Sequence, residues 1–251
     1  VKHGSASVPF LFVDAYDILD HSVLSVDGPE VEPVLERTDG LGQSSEAHTP
    51  VGLRKGRLSF DGYFDDGDLG TLAALIAPGG VSRLVTTGVA GNTFGAPVSI
   101  MTGAFAGKVR RGPKRGEITK AGGDLVTSGT VHLGAILLHP LTTRSSTGDT
   151  QGADSVDNGA SSAAGAVAAL HVKACAGVTN VVVKVRHSAD DTTYADLITF
   201  TAVTPWTPPT VPPAVAAQLA SVAGTVNRHL AVSYTFTGAG TIEFAVGVAR
   251  G

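Results

Sequence analysis

The chain reads as a mainly β protein. It holds 32 Gly and 13 Pro, a density of turn formers suited to many short strands. Val and Thr recur throughout while Met occurs once, a usage that favours pleated sheet. Gly56–Phe64 then alternates cleanly, with Leu58, Phe60 and Phe64 on one side and Arg57, Ser59, Asp61 and Tyr63 on the other, which is the period of a half-buried strand. A hydrophobic fraction of 43% over 251 residues supports one large core or two modest ones and excludes wholesale disorder.

In chain order, Val8–Val13 is an apolar run that predicts a strand, and Val23–Val26 a second. Residues 27–55 contain Pro29, Pro33, Gly40, Gly42, Pro50 and Gly52 with little periodicity, so a long loop is expected there, of the kind that is usually functional or disordered. After Gly56–Phe64, Asp65, Asp66 and Asp68 precede Leu69–Ala77, where Leu69, Leu72, Leu75 and Ile76 recur at helical spacing before Pro78-Gly79-Gly80. Acids at a helix start cap free amides and complement the dipole, so one helix is expected over 69–77. Strands are expected at 82–87, 97–109, 115–121 and 125–138, with Arg111–Gly116 as a basic hairpin tip.

Between Thr142 and Gly165, Ser, Thr, Gly, Ala and Asp dominate. That shift predicts a division into residues 1–145, a linker at 146–165, and a second unit at 166–251. The second unit shows strand patterns at 166–174, 180–187, 194–201, 228–237 and 241–248, with 214–223 readable as helix or strand. Short strands at this spacing predict a β-sandwich.

Charge is segregated. Residues 1–68 hold 13 acids and 5 bases. Residues 108–120 hold six bases, Lys108, Arg110, Arg111, Lys114, Arg115 and Lys120, against Glu117 alone. Opposite charge at separate places on one subunit suits association of unlike faces. The expected contacts are Arg110, Arg111, Lys114 and Arg115 of one copy with Glu30, Glu32, Glu36 and Asp39 of the next. A solvated hairpin and nucleic-acid binding are the other readings of the bases, and the absence of interleaved aromatics weakens the second.

Chemistry-bearing patterns are few. The sequence has no His-Glu-x-x-His, Gly-x-Ser-x-Gly, Walker-type or dinucleotide-binding pattern, each of which supplies a nucleophile, metal or phosphate cradle at fixed spacing. Asp61, Asp65, Asp66 and Asp68 lack the alternating acids and final Glu of a calcium loop, and Asp190-Asp191 between two strands reads as turn chemistry. Cys175 lies in the apolar run Leu170–Cys175 and is expected to be buried. No catalytic residue, cofactor or metal is therefore expected, and the protein is read as not an enzyme. No apolar run reaches the length of a membrane span, and Val1-Lys-His-Gly is no secretory leader, so no membrane partner is expected.

Two stretches carry a resemblance: Val181-Val-Val-Lys-Val-Arg-His-Ser-Ala-Asp-Asp-Thr-Thr-Tyr-Ala-Asp-Leu-Ile-Thr-Phe200, and Thr225-Val-Asn-Arg-His-Leu-Ala-Val-Ser-Tyr-Thr-Phe-Thr-Gly-Ala-Gly-Thr-Ile-Glu-Phe-Ala-Val-Gly-Val-Ala-Arg250. Their order of strand, acidic turn, Tyr-Ala-Asp-Leu strand and Asn-Arg-His-Leu strand resembles the carboxy-terminal part of the major tail tube proteins of long-tailed bacteriophages. The matched stretch is about a third of the chain. The resemblance implies a tail-tube-type β-sandwich or barrel with one flanking helix, followed by a second β-sandwich that decorates the exterior. It implies a homo-oligomer, hexameric rings stacked into a tail tube, with 33–55 as the loop reaching a neighbouring ring. Other tail proteins would be partners, and phage DNA would pass through the lumen without specific binding. The implied location is the virion tail, with assembly in the host cytoplasm. The alternative is a β-sandwich that binds carbohydrate or a host surface, which one Trp and four Tyr make a poor platform.

Overall fold

The computed structural model describes residues 8, 10–21, 23–37, 48–63, 82–88, 90–112, 120–127, 129–207 and 212–251. The expected helix at 69–77 lies outside them, as do Asp39, Lys114 and Arg115. The described part is mainly β. The strands of the first half are β1 (Leu11–Val13), β2 (Tyr16–Asp17), β3 (Val23–Arg37), β4 (His48–Tyr63), β5 (Arg83–Gly88), β6 (Pro97–Gly112), β7 (Lys120–Thr127) and β8 (Val131–Arg144). Those of the second are β9 (Gly148–Asp149), β10 (Val156–Asp157), β11 (Ala166–Ala176), β12 (Asn180–Ser188), β13 (Ala195–Thr199), β14 (Ala217–Val222), β15 (His229–Thr237) and β16 (Thr241–Arg250).

The expected loop at 27–55 is corrected: β3 and β4 run antiparallel from Val23 opposite Gly62 to Arg37 opposite His48. Pro29 and Pro33 concealed this, yet proline is compatible with an edge strand, whose outer N–H groups need no ladder partner. The strand expected at 125–138 is likewise two strands. Gly129 fills the turn between them, where a Cβ would stand 2.2 Å from the Thr102 carbonyl oxygen, so only glycine lets the turn approach β6 this closely. The segment 214–223 resolves as a 3-10 turn at Ala214–Ala216 followed by β14.

Among the described residues, eleven strands form one curled sheet. Its main path is β14-β11-β16-β8-β6-β5-β1-β2, with β7, β4 and β3 branching from β6; a second sheet of five strands holds β9, β10, β12, β13 and β15. The two sheets pack as a sandwich. Leu170, Val172, Phe244, Val246 and Leu138 on the first meet Val181, Val183, Val185, Leu230 and Val232 on the second. The opposite face of β8, β11 and β16 is also buried. Ala135, Leu137, Ala169, Ala245 and Ala249 pack there on Phe10, Phe12, Val98 and Ile100. Small residues on one side of the sheet admit the two phenylalanines of the other, as close packing demands. A third core joins Leu11, Val13, Leu58, Phe60, Val85, Met101 and Leu125 inside the curl.

The large sheet passes across the expected division. Ile242–Val248 of β16 pairs with Ile136–Arg144 of β8. Residues 146–165, expected as a linker, carry β9, a 3-10 turn at Gly152–Asp154 and β10, and both short strands pair with β15.

The β8–β16 ladder has one irregularity with a sequence cause. Pro140 has no N–H to donate, and two residues, Pro140 and Leu141, fall between the pairs His139–Val246 and Thr142–Phe244, which enclose only Ala245. The bulge releases Leu141 from the ladder. Asn92 takes its place as a peptide mimic: its Nδ2 donates to the Leu141 carbonyl at 2.9 Å, and its Oδ1 accepts the Leu141 N–H at 2.7 Å. Asn92→Ala is expected to lower stability by about 1–2 kcal/mol, since two backbone groups lose their partner at a solvated site. Asn92→Asp, which keeps only the acceptor, should fall between. Urea midpoints for the three proteins check this, and equal midpoints would refute the clamp.

Candidate subunit interface

The branch β3-β4-β7-β6 holds every expected contact residue that is described. β7 pairs with β4 from Gly56–Thr127 to Tyr63–Lys120, and with β6 from Ala104–Thr127 to Gly112–Lys120. The result is a four-stranded antiparallel layer. Its interior face is apolar, with Leu58 and Leu125 fully buried and Phe60 nearly so. Its other face carries the exposed Arg57 and Asp61. The alternation read from Gly56–Phe64 produces this division.

Both margins of the layer are open among the described residues. β3 pairs with β4 alone. β6 pairs with β5 only as far as Ala104, so its 105–112 half has β7 on one side and no described strand on the other. Beyond Gly56, β3 and β4 continue as a ribbon of two strands with no third among the described residues, and an isolated two-stranded ribbon is marginal in water.

The two margins differ in charge. Glu30 and Glu32 are exposed on β3, and Glu36 follows on the same strand. Lys108, Arg110 and Arg111 lie on the open half of β6. Glu30 and Glu32 therefore lie on the strand at one margin of the layer, and Arg110 and Arg111 on the strand at the other.

The register also shows what the charge counts missed. Glu30 falls opposite Arg57 and Glu32 opposite Lys55. Arg57 reaches across to β7, where its guanidinium meets the Asp124 carboxylate at 2.8 Å; the Arg57 side chain is 48% exposed and that of Asp124 9%. Two acids of β3 thus lie opposite bases of β4, whereas Asp27 falls opposite Ser59 and Glu36 opposite Thr49. Arg57 was legible as an outward residue of the alternating strand, whereas Asp124 shows no signal in sequence.

Polar groups elsewhere are structural. Asp190 accepts the N–H groups of Thr192 at 3.0 Å and Thr193 at 2.9 Å and the Ser188 hydroxyl at 2.8 Å, and these bonds hold its carboxyl well below the usual range. Asp191 accepts from Ser155 at 2.7 Å and from Tyr194. Asp157 is tied to Arg228 through both guanidinium contacts. Cys175 is buried, and desolvation pushes its thiol up to about 11, so it is neither a thiolate nucleophile nor a ready metal ligand. Among the described residues no group of three or more His, Cys, Asp or Glu could hold a metal ion.

Two buried histidines tie the sheet together. His171 of β11 donates from Nδ1 to the Asp14 carbonyl at 2.6 Å and accepts the Thr86 hydroxyl at Nε2 at 2.7 Å. It also stacks on Phe12 at 4.9 Å. His139 of β8 stacks on Phe244 at 4.0 Å and accepts Arg144 Nε at 3.1 Å. Burial lowers both, His171 to about 4 and His139 to about 3, the Arg144 charge adding to the second.

No protein-family profile and no curated protein sequence matches the chain. Solved structures with partial similarity come from a gene transfer agent and from phages. The tail of an empty gene transfer agent particle, computed with C6 symmetry, is 10% identical, covers 53% of this chain and 98% of its own, and superposes with a TM-score of 0.39. The Dit protein of phage SPP1, described as a hub adsorption apparatus in phages infecting Gram-positive hosts, is 13% identical, covers 96% and 99%, and gives 0.34. A chain of the phage p2 baseplate in its activated conformation is 7% identical, covers 94% and 93%, and gives 0.31. At these scores the superpositions do not define a common fold.

Proposed function

We propose that the chain is a non-enzymatic structural protein of a phage tail. Copies associate side by side into rings, hexameric by the sequence resemblance, and the rings stack into a tube through which DNA passes. The observation that supports this most is the four-stranded layer with an acidic margin on β3 and a basic margin on β6. An edge that presents unpaired N–H and C=O groups is a template for another chain. A heterologous contact, in which one edge of a copy meets the other edge of the next, closes into a ring when the rotation permits. The β3–β4 ribbon beyond Gly56 gains its third partner from a neighbouring ring. Residues 1–145 and 166–251 act as tube and exterior units that share one sheet. DNA slides and does not stick, because fixed bases are spent on subunit contacts, and each phosphate neutralised would add affinity.

The carbohydrate reading has no observation in its favour. Trp206 is 7% exposed and hydrogen-bonds through its backbone to Cys175, N–H to carbonyl in both directions. Tyr194 and Tyr234 are buried as well.

Reversing Arg110 and Arg111 to Glu is expected to abolish rings in negative-stain images while leaving a folded β protein. Combining it with Glu30→Lys and Glu32→Lys should restore assembly in part. Exposed pairs are worth only about 0–1 kcal/mol each, but every contact in a ring repeats them. Added salt should weaken wild-type assembly, since screening shortens to about 10 Å at 0.1 M. Rings insensitive to both reversal and salt would refute the charged-margin contact.

A further inference from the structure

Of the four Asn in the chain, Asn158 alone is followed by Gly. An Asn-Gly pair is prone to cyclise, because glycine offers no side chain to obstruct attack of its amide nitrogen on the Asn side-chain carbonyl. Here neither residue is free to change. Gly159 has a φ of 76°, a conformation that favours glycine. Asn158 extends the pairing of β10 with β15: its backbone N–H donates to the Arg228 carbonyl at 3.0 Å. Its side-chain Nδ2 donates to the same carbonyl at 3.0 Å and to that of Val156 at 3.3 Å. The labile pair thus stands where the chain leaves the β10–β15 ladder.

The same bonds hold the pair closed. Cyclisation needs the Gly159 nitrogen, stripped of its proton, at the Asn158 Cγ, and it needs Nδ2 to depart. The Gly159 N–H is instead donated to Asp157 Oδ1 at 2.8 Å, and Nδ2 is engaged by two carbonyls. Asp157 is a poor base for that proton, since its hydrogen bonds to the Arg228 guanidinium hold the carboxyl well below the usual carboxylate range. Water has access, because Gly159 is exposed. The block is geometric and lasts as long as β10 stays on β15.

We propose that Asn158 is a deamidation site gated by the β10–β15 contact, closed while β10 is paired and open when it detaches. In the open state the Gly159 nitrogen bonds to Asn158 Cγ, the Cγ–Nδ2 bond breaks, and Nδ2 leaves as ammonia with the Gly159 proton. Water then adds to either carbonyl of the resulting succinimide and opens it to an aspartyl or isoaspartyl residue. The change is one-way for the strand. A carboxylate has no hydrogen to donate, so the product sets a third acceptor against the Val156 and Arg228 carbonyls. An isoaspartyl link also lengthens the main chain by a methylene and breaks the match with Arg228. Val156, which packs on the sandwich core, then loses its anchor, and a brief opening becomes permanent.

Full-length protein is held in mildly alkaline buffer, either folded or in urea, and the peptide containing Asn158 is followed by mass and by isoaspartate content. Conversion in the folded protein is expected at least about tenfold slower than in urea, because only the open fraction reacts. Asp157→Ala frees the Gly159 N–H and unties Arg228. Asp157 is exposed, so the core stays intact, and thermal unfolding verifies that. The variant should shrink the folded-to-unfolded ratio at least about threefold, the worth of a hydrogen bond lost. Asn158→Asp places the aspartyl product directly and should speed amide exchange over 156–158. Wild type that converts as fast folded as in urea, or a ratio untouched by Asp157→Ala, overturns the gate. Exchange unchanged in Asn158→Asp overturns the one-way release of β10.

Discussion

A chain ending at Ser145 is expected not to fold. The composition shift that follows Thr142 invites the cut, but the sheet does not stop there. Removing the second half strips β8 of β16 over Ile136–Arg144. It also takes Ala169, Ala245 and Ala249 from the face that covers Phe10 and Phe12. Leu138 and Ile136 lose the sandwich interior they face. Full burial of such side chains is worth about 1.5–3 kcal/mol each, and several are exposed at once, against a total stability of about 5–15 kcal/mol for a domain. The bare edge of β8, with Leu137 and Leu138 in sequence, would also invite aggregation. Circular dichroism during urea titration and sedimentation of the truncated chain decide the matter. A monodisperse product with a cooperative transition would show that residues 1–145 form an independent core, and the shared sheet would then be a docking contact between finished units.

The strands of the second half were the most legible part of the fold. Those expected at 166–174, 180–187, 228–237 and 241–248 appear as Ala166–Ala176, Asn180–Ser188, His229–Thr237 and Thr241–Arg250. They lie between two cores or in a sandwich, where burial writes apolar residues into nearly every inward position. The β3–β4 ribbon was illegible for the opposite reason. Glu30 and Glu32 are exposed, so no buried face imposes a period, and Pro29 and Pro33 mimic a loop. The pairing of β8 with β16 joins segments far apart in sequence, and no local pattern records it.

The Ser-, Gly- and Ala-rich stretch carries short strands that its composition does not announce. Its small residues fill close approaches as well as turns. A Cβ on Gly148 would stand 2.8 Å from the Tyr234 hydroxyl oxygen, so the residue there must be small for β9 to reach β15. At the candidate interface the charges themselves were readable. Their placement on opposite margins was not, because it depends on β4 and β7 lying between β3 and β6.

Acid should destabilise this protein well above the range in which carboxylates titrate. His171 and His139 are neutral in the folded chain, with values of about 4 and about 3 against 6.5 for the free side chain. Between pH 6.5 and 4 the unfolded chain therefore binds protons that the folded chain refuses. Stability is complete above pH 6.5 and declines as pH falls towards the folded values. Each histidine withdraws about 1.4 kcal/mol per pH unit, so the pair approaches the whole stability of a domain by pH 4. The acids do not mask this. Bonds to Arg228 hold Asp157 low and turn hydrogen bonds hold Asp190 low, and their contribution is lost only below the free value of 3.8, outside the window. The geometry gives the histidines no easy escape. His171 has both ring nitrogens engaged between β1, β5 and β11, and a proton on Nε2 would force the Thr86 hydroxyl to turn. His139 faces the Arg144 guanidinium, which opposes a second positive charge. Urea midpoints at pH 7, 6, 5 and 4 are expected to fall steeply, and His139→Phe, which keeps the stack on Phe244, should remove about half of the slope. A midpoint flat from pH 7 to 4, or a slope untouched by His139→Phe, would show that these rings take up protons without loosening the sheet.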